Sequence, residues 1–127
     1  MVPSCDDTHR HVWRRWFTFD GMGDYYYVYV MSSQRRVLYV GVTSNLEQRV
    51  FQHKTHALGG FAARYNVTLL VYFERFATIQ VAIAREKEVK AWRREKKIAL
   101  VASLNPKWRD LSYGWYQQHQ YAPVRRM

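Results

Sequence analysis

The chain holds a single cysteine, Cys5, among its 127 residues. That excludes an internal disulfide and leaves no thiol cluster for structural zinc, so Cys5 reads as a bystander near a loose terminus. Acidic residues are also scarce, 10 Asp and Glu against 20 Lys and Arg, for a formal net charge of +10 at pH 7. A surface with that imbalance favours a polyanion, either nucleic acid or an anionic membrane. Long apolar runs are missing: basic residues interrupt every segment well short of the ~20 apolar residues that a spanning helix requires, so no membrane partner is expected. The first residues contain Asp6 and Asp7 and lack an apolar core followed by a small-residue cleavage site. No secretory signal is expected from them, and the chain is placed in the cytoplasm. Internal repeats and low-complexity linkers are absent as well.

What is present is a 48% hydrophobic content, enough at this length for one core built around one sheet and a few helices. Residues 1–24 carry Trp13, Trp16, Phe17 and Phe19 among Arg10, Arg14 and Arg15 without a period of 2 or 3.6, and read as an N-terminal appendage. His9 and His11 within them read as solvated histidines. The patterned domain spans 25–112, and 113–127 is a polar, aromatic C-terminal tail.

From Tyr25 to Met31, β-branched and aromatic residues fill both faces, as in a central strand. A short polar loop, Ser32 to Arg36, leads into a return strand, Val37 to Val42, which Gly41 ends where a side chain would crowd something. Ser44 and Glu47 have the spacing of a capping box, predicting a helix from about Asn45 that Gly59 and Gly60 close. Phe61 to Asn66 is a basic, aromatic connector before a third strand, Thr68 to Phe73. Thr78 caps a further helix with Ile79, Ala82, Ile83 and Val89 on its buried face. A basic link then leads to a last apolar helix ending near Ser103, and Asn105-Pro106 stops it. The expected fold is α+β, a small three-stranded antiparallel sheet flanked by about three helices.

Three features carry chemistry. Glu86 falls on the apolar face of its helix, where an ionised carboxylate costs several kcal/mol unless a cation or good hydrogen bonds compensate. A divalent metal would serve, but an ion pair with one of the many Arg and Lys side chains is the commoner answer. Arg49 and His53 are four apart on one helical face, where an arginine can hold a phosphate and a histidine can orient a neighbour or shuttle a proton. Tyr29 and Tyr39 stand on adjacent strands. Most strand tyrosines are packing residues, yet a phenol beside Arg49 can accept a proton from an attacking water.

Together these elements resemble the GIY-YIG nuclease domain, specifically its small stand-alone members related to the N-terminal nuclease domain of the excision-repair endonuclease subunit. Tyr27-Val28-Tyr29 stands where that family has Gly-Ile-Tyr, and Tyr39-Val40-Gly41 stands for Tyr-Ile-Gly. The resemblance covers about Tyr25 to Leu111. It implies catalytic roles for Tyr29, Tyr39, Arg49 and His53, Glu86 as the ligand of Mg²⁺ or Mn²⁺, and site support from Gly41 and Asn105. Two departures stand out: Tyr27 replaces the first glycine of the name motif, and Val42 stands where some relatives have lysine.

The implied activity is metal-dependent endonucleolytic hydrolysis of phosphodiester bonds in DNA, with RNA not excluded, in repair or recombination. Arg35, Arg36, Lys54, Arg64, Lys90, Arg93 and Lys97 are the expected contacts to flanking phosphates. Two rivals keep the same basic surface: a non-catalytic nucleic-acid-binding module, and a small domain that recruits a repair or replication protein. Nothing in the sequence signals an oligomeric state.

Overall fold

The computed structural model describes residues 25–116. Three strands form one antiparallel sheet in the order β2-β1-β3, with β1 (Tyr26–Ser32) between β2 (Leu38–Thr43) and β3 (Leu69–Phe76). A central strand is buried on both faces, which is why β1 carries apolar side chains without alternation. Tyr27, Tyr29 and Met31 enter one core cluster, and Val28 and Val30 enter another. The hairpin between β1 and β2 turns on Ser33, whose hydroxyl accepts from the Arg35 and Val37 amides at 3.1 and 3.0 Å.

Helices cover both faces. On the first lie α1 (Leu46–Lys54) and the short α2 (Gly60–Arg64), which contribute Leu46, Val50 and Ala62 to the core. On the second lie α3 (Ile79–Ala91) and α4 (Arg94–Leu104), which contribute Ala82, Val89 and Val101. The fold is therefore the expected α+β arrangement, with four helices among the described residues. None of them is long and apolar enough to cross a membrane.

Three local expectations are corrected. The cap of α1 is Asn45, whose side chain accepts from the Gln48 amide at 3.0 Å. Ser44 is displaced from that role because Thr43 Oγ1 already takes the Asn45 amide at 3.0 Å and sets the entry angle. Gly59 and Gly60 do not close α1, which ends at Lys54 with Thr55 as its cap. Both glycines have positive φ, 67° and 63°, and they turn the chain into α2, so the expected connector is itself helical. On α3 the buried stripe is Ala82, Glu86 and Val89, while Ile79 and Ile83 face outward at 39% and 38% exposure.

One irregularity matters for the end of the chain. Along β1 and β3 the register passes from Val30 opposite Tyr72 to Met31 opposite Leu70, leaving Val71 as the extra residue of a bulge. A bulged residue loses its place in the ladder. The Val71 carbonyl instead accepts from Asn105 Nδ2 at 3.0 Å, just after α4. Beyond it, Asp110 accepts from the Leu70 amide, Trp108 donates to Ser32, and Tyr116 donates to the Glu47 carbonyl. Tyr116, assigned to the C-terminal tail, thus lies against α1, whereas Tyr113 is 83% exposed. Residues 1–24 and 117–127 lie outside the described residues.

Candidate active site

Tyr29 of β1 pairs with Gly41 of β2. Its ring crosses directly over the glycine, and a Cβ built on Gly41 would stand 2.6 Å from Tyr29 Cζ. Tyr39 lies two residues before Gly41 and so projects from the same face of the sheet. The face is covered by α1, on which Arg49 and His53 are separated by one turn. The His53 ring meets both phenols: its Nε2 shares a hydrogen bond of 3.0 Å with the Tyr29 hydroxyl, and ring centroids lie 5.6 Å from Tyr29 and 5.0 Å from Tyr39. The Tyr29 and Tyr39 centroids are 6.3 Å apart.

Burial sets the charge of this cluster. Tyr29 is fully buried and His53 is 2% exposed. Burial first, and then the neighbouring Arg49 charge, push the imidazole down to about 4, so His53 is neutral at physiological pH. Burial also pushes the Tyr29 phenol above its ordinary value, reinforced by Tyr39 and Glu86 and opposed by the charge and hydrogen bond of Arg49. Tyr29 therefore stays a neutral phenol. Tyr39 is only partly buried, which leaves it as the phenol in contact with solvent. The His53 Nδ1 is buried without a hydrogen-bond partner among the described residues, an arrangement that costs about 1–3 kcal/mol and recurs at functional sites.

Glu86 comes from α3, between Ala82 and Val89. Its carboxylate is close enough to raise the Tyr29 phenol. It is 9% exposed and pairs with Lys90 one turn later, Nζ to Oε2, at 2.7 Å. No group of three His, Cys, Asp or Glu side chains forms a metal cage among the described residues. A single carboxylate nevertheless fits Mg²⁺, which commonly takes one or two protein oxygens and completes its shell with water and substrate phosphate. Glu86 is the residue that would hold it.

Tyr29, Tyr39, Arg49, His53, Glu86 and Gly41 are thus brought together. Asn105 is not part of this group. Its amide donates to the carbonyls of Val71 and Arg109, and its oxygen accepts from the Arg109 amide, so its polar atoms are spent on the chain after α4. Lys54 has its ammonium tied to Asp110 at 2.6 Å and to the Thr68 carbonyl at 2.9 Å, with 12% of the side chain exposed. It is a structural cation. Lys90 sits on Glu86 rather than standing free for phosphate. Arg35, Arg64 and Arg93 are exposed and Lys97 is partly so. Arg36 is exposed too, and stacks on Trp108 at 4.3 Å.

Sequence reasoning missed Glu74, a β3 residue only 1% exposed. Arg85 clamps it with two hydrogen bonds of 2.9 Å, and Tyr72 donates to it at 2.6 Å. The Arg85 guanidinium is consumed by this network and by Glu88. An acidic residue in a strand of Leu, Val, Tyr and Phe was the available signal, since a charge there needs a buried partner.

The family model of the GIY-YIG catalytic domain matches residues 25–99, more than half of the chain. The chain belongs to the GIY-YIG family. This is a superfamily of nucleases, generally dependent on a divalent metal. Similar chains include two UPF0213 proteins. That of Haloquadratum walsbyi is 38% identical over 76 residues, covering 60% of this chain and 85% of the relative. That of Natronomonas pharaonis is 39% identical over 77 residues, covering 61% and 91%. The solution NMR structure of the UPF0213 protein BH0048 from Bacillus halodurans aligns with a TM-score of 0.46 at 22% identity, covering 76% of this chain and 99% of that one.

Proposed function

We propose that this GIY-YIG domain is an Mg²⁺- or Mn²⁺-dependent endonuclease that hydrolyses phosphodiester bonds in DNA, acting in repair or recombination with DNA as its main partner. The observation that carries the reading is the meeting of two phenols, a guanidinium and a nearly buried carboxylate at one place. A divalent cation on Glu86 would supply positive charge at the scissile phosphate and its leaving oxygen. Arg49 holds the same phosphate from the α1 side and stabilises the charge that develops on it.

The two phenols divide the remaining work. Tyr39 reaches solvent, so it is the residue to accept a proton from the attacking water. Tyr29 is buried, neutral and bonded to His53, which makes the pair a rigid backing that orients Tyr39 and keeps Arg49 aimed at the phosphate. Both tyrosines matter, for different reasons.

Glu86→Gln tests the reading directly. In a screen of branched, damaged and single-stranded DNA with Mg²⁺ and Mn²⁺, the variant should cut at least about 100-fold more slowly. Its DNA affinity should stay within about threefold, since Glu86 contributes no positive charge to the grip on phosphates. Unchanged cutting by Glu86→Gln would sink the proposal. The Lys90 to Glu86 pair favours a second reading, a binding module in which the carboxylate is only a helix ion pair. Metal-independent DNA binding without cleavage of any substrate would select that reading.

A further inference from the structure

The ion pairs of the described residues differ in which partner is fixed. Lys54 and Asp110 are both mostly covered, with side chains 12% and 20% exposed. In the Arg85 to Glu74 pair the values are 22% and 2%, and the guanidinium is also bonded to Glu88. In the Lys90 to Glu86 pair the carboxylate is 11% exposed and the lysine 57%. The anion is held by the fold and the cation is not. Lys90 lies on the outer side of α3, and its ammonium bonds to no other group among the described residues. Its stem is flexible and can re-aim its charge by changing rotamer.

The position of that charge is what gives the pair a consequence. Lys90 Nζ stands 2.7 Å from Glu86 Oε2, close to where a dication would take up its bond to the same oxygen. An ammonium and a divalent cation on one carboxylate repel each other at that range, so each weakens the other's hold on it. Glu86 first, and Tyr39 least, push the Lys90 ammonium above its ordinary value, so the lysine lies within electrostatic reach of the Tyr39 side of the site. A phosphate offers the ammonium a second anion within reach.

Resting on the endonuclease reading above, we propose that Lys90 is a displaceable counter-ion of Glu86. It weakens the hold of the carboxylate on metal in the free protein and lifts that restraint when a phosphate strand draws the ammonium away. Dication and nucleic acid then bind cooperatively, each raising the affinity for the other by the same factor. A resting enzyme without metal does not cut, so the device would withhold activity until the strand is in place.

The test is Mn²⁺ binding to the full chain, followed by the loss of the free-ion electron paramagnetic resonance signal, first without nucleic acid. Lys90→Gln should bind Mn²⁺ about tenfold more tightly than the native protein, and Lys90→Arg should remain near native. Adding Glu86→Gln to Lys90→Gln should abolish the gain. In a Tyr39→Phe background, chosen to keep the strand intact, a short duplex should raise Mn²⁺ affinity about tenfold when Lys90 is present and much less in Lys90→Gln.

A merely structural lysine would leave metal affinity unchanged or weakened on removal, and that result overturns the inference. If it occurs while Glu86→Gln still abolishes Mn²⁺-dependent cleavage, the endonuclease reading survives alone. If no variant shows Glu86-dependent Mn²⁺ binding or cleavage, both fall.

Discussion

At Gly41 the Tyr29 ring passes so close to the backbone that even a methyl group must push it aside. Gly41→Ala should cost about 1–3 kcal/mol in urea denaturation, the range for forcing one carbon into a packed interior. It should also reduce cleavage more than its stability loss predicts, because the displaced phenol breaks its bond to His53. An unchanged melting profile would contradict the close approach. This crowding was legible in the sequence; Tyr29, Tyr39, Arg49, His53 and Glu86 were singled out by their spacing but drawn into one site only by the resemblance to the family. The partners of Lys54 and Asn105 were not legible. Lys54 finds Asp110 across a sequence separation of 56, and Asn105 finds Val71 across 34. No local pattern encodes such pairs.

Among the elements, α3 departs most from its sequence pattern. Apolar periodicity placed Ile79 and Ile83 inward, yet the helix turns its narrower Ala82, Glu86 and Val89 stripe to the sheet. The small Ala82 allows close approach, and Arg85 reaches from the flank of that stripe to Glu74 on β3. This ion pair fixes the rotation of α3, and with it the aim of Glu86. Arg85→Met should destabilise the protein by about 3 kcal/mol, because it leaves the Glu74 carboxylate buried with no cation. Adding Glu74→Gln should recover a large part of the loss. Urea midpoints of the two single variants and the double variant check the prediction, and additive losses would argue against coupling. At the next break, Trp92 separates α3 from α4 where the sequence showed only a basic link, with Lys96 over its ring at 4.2 Å.

For the whole molecule, burying His53 as the neutral imidazole makes stability depend on pH. Its folded value of about 4 lies below the 6.5 of an unfolded histidine. Between these values the unfolded chain binds more protons, so stability falls as the pH drops from about 6.5 toward 4 and is unaffected by this group above that window. The full loss is roughly 3 kcal/mol, from 1.36 kcal/mol per unit. His53→Gln should flatten the dependence of the urea midpoint on pH across the window, and an equally steep variant would remove His53 as its source. The fold itself was readable at this scale. Strand-forming runs, a hairpin turn and two capped helices dictate an α+β sheet, and the order of elements pointed to the family before any distances were known. The rotation and pairing of those elements depend on contacts between segments far apart in the chain.

The segment from Asn105 to Tyr116 crosses the molecule and fastens β3, the end of β1 and α1 in turn. It also follows every strand and helix of the described residues in chain order, and so is made after them. A nascent chain therefore carries both tyrosines, Arg49 and Glu86 before the segment that secures α1 against the sheet has emerged. A fragment that stops before Asn105 has every strand and helix of the described residues but lacks these fastenings.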